Sequence, residues 1–211
     1  MRVLILGAGG HAQVVADILL RTQEQTGSVH PIGYLDDDLA LAGQSFIGLP
    51  VLGAIACLSE IEHDATIVAI GDNATRQRLF EAVQSLGENL IVARHPAAVV
   101  APDVCLGSGS MICAGVVVNP GTVIGANVIL NTGCTVDHHT RIGDHVHIAP
   151  GAHLGGEVTI GKGVLVGIGA IVMPCVHIEE RSTVGAGACV TKSVPAGLTV
   201  VGVPAKPLQQ S

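Results

Sequence analysis

The sequence predicts two joined folds: an α/β, Rossmann-like βαβ domain over residues 1–94, then a left-handed parallel β-helix of hexapeptide repeats over residues 95–211. Three observations carry this. Aliphatic side chains recur every sixth residue without a break from Val100 to Val190, strand and helix patterns alternate before that point, and large rings are nearly absent. The 211 residues include 28 glycines, while Tyr34, Phe46 and Phe80 are the whole aromatic complement, so the interior must be filled by Val, Ile, Leu and Ala. That composition suits stacked layers of small side chains. The length is enough for one or two domains with a buried core.

In the first region Val3-Leu4-Ile5-Leu6 reads as a buried strand, followed by a helix from about His11 to Gln25 and a second strand ending at Tyr34-Leu35-Asp36. A further strand over Thr66–Ile70 leads through Gly71-Asp72-Asn73 into a helix reaching about Leu86, and Leu90-Ile91-Val92 reads as a last short strand. This alternation predicts a small parallel sheet with helices on its faces. Ligands of such sheets sit beyond the carboxyl ends of the strands. Here those ends carry Gly7-Ala8-Gly9-Gly10-His11, Asp36-Asp37-Asp38 and Gly71-Asp72-Asn73, three segments expected to meet at one pocket.

The glycine turn opens a helix, whose N-terminal N–H groups and dipole can hold phosphate oxygens. Its spacing, G-x-G-x-x-A with Ala12 in the third place, resembles the dinucleotide fingerprint, the plain alternative being a tight turn with no ligand. Asp36 and Asp37 could accept ribose hydroxyls or base N–H groups, which is compatible with NAD or with a nucleoside diphosphate. Fewer than a hundred residues supply about one mononucleotide half of a dinucleotide fold, which favours a nucleotide-linked ligand.

From Val100 onward sixteen consecutive sixth positions are aliphatic, and the residue two places before each is small or β-branched from Val104 to Ala188. A period of six fits neither a helix nor a series of hairpins; it fits short parallel strands joined by tight turns. Three hexads close one triangular coil, so the repeat makes about five coils at ~4.8 Å spacing, a prism roughly 25 Å long. The aliphatic series points inward, and the small series fits positions where Leu or Phe would overpack. Val136→Asp is therefore expected to be severely destabilising. Ala, Val and Ile at several outward positions predict faces covered by sister subunits, hence a homotrimer.

A formal charge of −7 with no Lys/Arg cluster argues against a nucleic-acid partner. No apolar run reaches the roughly 18 to 20 residues that cross a bilayer, and the apolar start Val3–Leu6 is too short for a signal peptide, so no membrane partner and a cytoplasmic location are expected. The six cysteines form no CxxC pair and are expected to be reduced, buried small hydrophobes.

Five of the ten histidines fall between residues 138 and 153. Positions 18 residues apart stack in this fold, and no two histidines of the repeat are separated by 18 or 36, so no metal site is expected within one subunit. His138, flanked by Asp137, is the candidate general base, because a neutral imidazole serves that role near neutral pH. His147 lies half a coil away and faces another side, so the two could cooperate only in a pocket shared with a neighbouring subunit. Cys134 is the alternative nucleophile, disfavoured by its inward place in the small-residue series. Asn131 reads as a ligand or as a stacked turn residue.

Taken together, Gly7-Ala8-Gly9-Gly10-His11, Leu35-Asp36-Asp37, Ile70-Gly71-Asp72-Asn73 with Arg76, Asn131-Thr132-Gly133 leading to Val136-Asp137-His138, and the ending Val201-Gly202-Val203-Pro204-Ala205-Lys206 give the whole chain a family look. It resembles the bacterial sugar O/N-acetyltransferases of the hexapeptide class, a group that includes sialic acid O-acetyltransferases and UDP-4-amino-sugar N-acetyltransferases. The resemblance implies a trimer that moves the acetyl group of acetyl-CoA to the amine of a nucleotide-linked 4-amino-deoxy sugar, UDP being favoured. Acetylation of a hydroxyl of sialic acid or another sugar is the alternative.

By the same resemblance His138 matches the proton acceptor, while Gly9, Gly10, His11, Asp36 and Asp37 match the nucleotide-sugar pocket, with Asn131 a further substrate contact. His147, Ile168 and Ala186 match positions contacting acetyl-CoA, and Gly156 matches a glycine whose N–H faces the thioester oxygen. Members usually carry Asp or Glu directly after the catalytic histidine, where this chain has His139. The orienting carboxylate is then expected from Asp137 or elsewhere. Two readings of other classes are a γ-carbonic-anhydrase-like metal enzyme and a non-catalytic nucleotide-sugar-binding module.

Overall fold

The computed structural model describes residues 1–208. It divides into two compact units, Met1–Pro96 and a second beginning at Ala97. In the first, a five-stranded sheet has the order β3-β4-β2-β1-β5, from β1 (Arg2–Leu6), β2 (His30–Leu35), β3 (Ser45–Phe46), β4 (Leu49–Gly53) and β5 (Ala65–Val68). β1 runs parallel to β2 and β5, and β2 parallel to β4. Val3, Leu4, Ile5 and Leu6 are all buried, as a central parallel strand covered on both faces requires.

α1 (Gly10–Thr26) buries Ala12, Val15, Ala16, Ile18 and Leu19, one helical stripe at spacings of three and four, and stops at Gly27 in the left-handed conformation with φ 65°. α2 (Asn73–Ser85) is opened by Asp72, whose carboxylate accepts the Thr75 N–H at 2.8 Å. That bond holds the Asp72 carboxyl below its usual range.

Two features depart from the sequence reading. Leu90-Ile91-Val92 is not a regular strand: Leu90 makes a single bridge to Thr66, which gives its N–H to Asn89 O and takes the Ile91 N–H, after which the chain leaves the β5 edge. The β3–β4 hairpin was not foreseen. Its tight turn places Ile47 at φ 51° and Gly48 at φ 76°, the pair of positive φ angles that a two-residue hairpin favours, but with isoleucine where Asn or Asp would announce it.

The second unit is a left-handed parallel β-helix. Its two-residue strands run from Val99–Val100 to Cys189–Val190, and each pairs in parallel with the strand one coil on, as in Val118↔Val136↔Leu154. The aliphatic series is buried from Ile112 to Val190 and the small series from Ser110 to Ala188; Val100 and Leu106, on the first coil, are half-buried. A left-handed residue recurs every sixth position from Gly109 to Gly187. Glycine fills most of these places, and Asn127, His139, His145, Glu157, Cys175 and Arg181 fill the rest.

The cysteines correct one expectation. Cys113 and Cys134 are buried, but Cys105 and Cys175 are exposed. Cys105 occupies the outward place of its strand beside Leu106, and Cys175 sits at a left-handed turn position, so the fold turns both outward. Burial pushes the Cys113 thiol up to about 12 and raises that of Cys134 beyond the range of any physiological pH, which leaves Cys134 inert. Among the described residues no helix is long and apolar enough to cross a membrane.

Candidate active site

In the first unit the sheet order places β1 between β2 and β5, so the chain leaves β1 in one direction and returns on its other side. Such a switch point opens a crevice at the strand ends. A cleft of about 500 Å³ lies there, lined by Gly7, Asp36, Asp37, Ile55, Ile70, Thr75, Arg78 and Leu79. Gly7 after β1, Asp36 and Asp37 after β2, and Ile70 after β5 bring all three strand ends to it, whereas Gly71-Asp72-Asn73 is not among its lining residues. At Gly7, with φ 106°, a Cβ would lie 3.1 Å from the Ala69 carbonyl oxygen, so the turn packs against the end of the neighbouring strand.

The two aspartates do different work. Asp36 Oδ2 accepts the Ala8 N–H at 2.7 Å and Oδ1 accepts the Asp38 N–H at 2.9 Å, so this carboxylate braces the glycine turn. Asp37 Oδ1 accepts the Ile55 N–H at 2.9 Å, and no described residue donates to its other oxygen. Gly9 and Gly10 do not line the cleft, but a Cβ on either would meet nothing within 4 Å, so the N-terminus of α1 stands open. Gly9 caps that helix without any side-chain hydrogen bond.

Arg76 is fully buried and donates to Ile70 O at 3.2 Å, Gly71 O at 3.1 Å and Asn73 Oδ1 at 2.8 Å, fixing the loop after β5. Burial brings its guanidinium down to about 10. Burial first, then the Arg76 charge, lowers His11 to about 4, so His11 stays neutral at neutral pH. The sequence reading passed over Thr75 and Arg78, which share the cleft wall because residues three apart lie on one face of α2.

In the second unit His138 occupies the turn between the strands Thr135–Val136 and Arg141–Ile142. The turn is tied to both neighbouring coils: His139 N–H donates to Pro120 O at 3.0 Å, and His138 O accepts the Glu157 N–H at 2.9 Å. Gly156 stacks one coil above His138. A Cβ built on Gly156 would lie 2.7 Å from both Cε1 and Nε2 of the imidazole, so only glycine admits the ring there. The Gly156 carbonyl accepts the Cys175 N–H at 3.0 Å, while its own N–H has no acceptor among the described residues.

Asp137 does not reach the His138 ring. Its Oδ1 accepts the Asn119 side-chain amide and the His138 backbone N–H, each at 2.8 Å, and those bonds hold its carboxyl below the usual range. The ring's partner is instead His139, with Nδ1 to Nδ1 at 3.1 Å, centroids 5.3 Å apart and planes edge-on at 79°.

Asn131, His147, Ile168 and Ala186 gather elsewhere. The Asn131 amide nitrogen lies 3.1 Å from His147 Nε2. Ile168, 62% exposed, accepts the Gly187 N–H at 2.8 Å, which stacks the Ala186 turn on its own. These turns follow Leu130, Val166 and Val184, whereas those of His138 and Gly156 follow Val136 and Leu154, so the two groups occupy different corners of one prism. A single chain brings His138 to Gly156 and Asn131 to His147, and does not join the pairs. Among the described residues no three His, Cys, Asp or Glu side chains group to hold a metal ion.

Comparison with known proteins supplies the context. Residues 2–83 match the PglD N-terminal domain, and residues 121–156 and 157–192 each match the bacterial transferase hexapeptide (six repeats). GDP-perosamine N-acetyltransferase of Escherichia coli O157:H7 is 35% identical, over 98% of this chain and 96% of that protein. Among solved structures, the acetyltransferase domain of PglB from Neisseria gonorrhoeae FA1090, in complex with acetyl coenzyme A, superposes with a TM-score of 0.92 at 38% identity, covering 98% of each chain. PerB from Caulobacter crescentus, in complex with CoA and GDP-perosamine, gives 0.90 at 38% identity, over 99% of this chain and 98% of that one.

Proposed function

Since the chain belongs to the hexapeptide-repeat sugar acetyltransferases that carry a PglD N-terminal domain, we propose that it transfers acetyl from acetyl-CoA to the amine of a GDP-linked 4-amino-deoxy sugar. GDP replaces the UDP favoured from sequence because both GDP-perosamine relatives align over nearly the whole chain. The observation that carries the reading is the His138–Gly156 stack: the imidazole lies against the Cα of a glycine one coil on, whose backbone N–H has no acceptor among the described residues.

The sugar amine attacks the acetyl carbonyl, forming the C–N bond. His138 Nε2 takes the proton that the nitrogen must lose. The Gly156 N–H holds the oxygen that becomes negative, and the C–S bond then breaks to release CoA thiolate, which is protonated to the thiol. His11 remains neutral, so in the nucleotide pocket it acts as a hydrogen-bonding group and leaves Arg78 and the open end of α1 to meet the diphosphate.

The acetyl-CoA corner of His147, Ile168 and Ala186 belongs to a second copy in this reading, and Asn131, expected as a substrate contact, lies on that corner against His147. Exposed Val99, Ile171 and Met173 support a trimer, since such apolar positions need covering.

Gly156→Ala is expected to lower kcat about 100-fold or more by pushing the imidazole from its place. The Michaelis constant for the sugar should change by less than about twofold, because the change touches the reacting end alone. Steady-state kinetics measures both. The substrate assignment is tested by thiol release from acetyl-CoA with GDP-, UDP- and dTDP-linked amino sugars and free sialic acid. Turnover is expected with the GDP-linked amine, and preference for a hydroxyl acceptor contradicts the assignment.

A further inference from the structure

We propose that His139 is the positioning residue of the proton acceptor, so that this chain runs its chemistry on a histidine pair where a carboxylate would be expected. The inference rests on the reading of His138 as base. It begins from the observation that the carboxylate next to His138 is committed elsewhere: Asp137 Oδ1 holds the His138 backbone N–H and the Asn119 amide. Among the described residues the only side chain hydrogen-bonded to the His138 ring is His139.

The backbone presets this contact. His139 takes the left-handed conformation with φ 58°, and its N–H is tied to Pro120 O on the coil below. Its ring lies over Gly121, where an added Cβ would fall 2.8 Å from Cδ2, so a side chain at 121 would push the ring away. The consequence is an Nδ1–Nδ1 contact of 3.1 Å, which is satisfied only when one nitrogen donates and the other accepts. A base at Nε2, beside Gly156, must carry its own proton on Nδ1. His138 therefore donates, His139 Nδ1 accepts, and His139 keeps its proton on Nε2.

When His138 Nε2 takes the proton from the substrate amine, the Nδ1–H···Nδ1 bond becomes charge-assisted and strengthens as the transition state is reached. His139 thereby fixes both the tautomer and the ring plane of the base without touching the substrate.

The test compares His139→Glu with His139→Met in the full-length enzyme, assayed with acetyl-CoA and the best nucleotide-sugar acceptor, alongside His138→Ala. Glutamate is tolerated at a left-handed turn of this prism, as Glu157 at φ 59° shows, and methionine is its acceptor-free counterpart of similar length. Removal of the acceptor is expected to lower kcat about 10- to 100-fold, with both Michaelis constants within about twofold of the parent, and the glutamate variant to recover most of that loss. Equal kcat in the methionine variant and the parent, or equal loss in both variants, overturns the role of His139 while a dead His138→Ala leaves the base in place. Full activity of His138→Ala instead removes the reading on which the proposal rests.

Discussion

His138→Ala is expected to lower kcat by about 10²- to 10⁴-fold, the range that a positioned general base supplies. The substitution removes the imidazole beside Gly156 and leaves the turn intact, because His138 is tied to its neighbours through its carbonyl and through its N–H on Asp137. Binding of the nucleotide-sugar should survive, since the cleft of Gly7, Asp37 and Arg78 lies in the first unit. Steady-state kinetics should therefore show kcat and kcat/KM falling together, the mark of an interaction made in the transition state. A variant with near-parental kcat contradicts the assignment.

Val136→Asp is expected to remove about 4 kcal/mol or more of stability, because it places an unpaired carboxylate in an apolar interior. Val136 is 1% exposed and stacks between Val118 and Leu154, two aliphatic neighbours that offer no hydrogen bond. Thermal unfolding followed by circular dichroism measures the loss. A melting curve superimposable on that of the parent would show that the side chain does not point inward.

That residue also shows why the second unit is legible from sequence. In a coil of hexads each inward place is filled by one residue whose neighbours lie 18 positions away, so Val118, Val136 and Leu154 announce their stacking by period alone. Strand ends were legible in the first unit for a related reason: Gly7, Asp36 and Ile70 follow buried apolar runs, and a parallel sheet gathers such ends at one edge. The hairpin at Ile47-Gly48 was hidden because its turn uses a residue that rarely adopts a positive φ.

At the site, the same register that stacks Gly156 on His138 could be counted, but the direction of a side chain could not. Asp137 adjoins His138 in sequence, yet its carboxylate turns to Asn119 one coil below, and His139 reaches the ring because its left-handed backbone swings it there. Arg78 was passed over for a similar reason. Its place in the cleft comes from the way α2 lies at the strand ends, and its local sequence carries no motif.

The central claim is that each site joins the His138 corner of one copy to the Ala186 corner of another. It is tested most directly by mixing two inactive variants, His138→Ala and Ala186→Trp, in hybrid assemblies. Random association at equal amounts should restore about one quarter of the parental rate, the chance that an intact base faces an intact donor corner. Hybrids no more active than the two variants measured apart would contradict it.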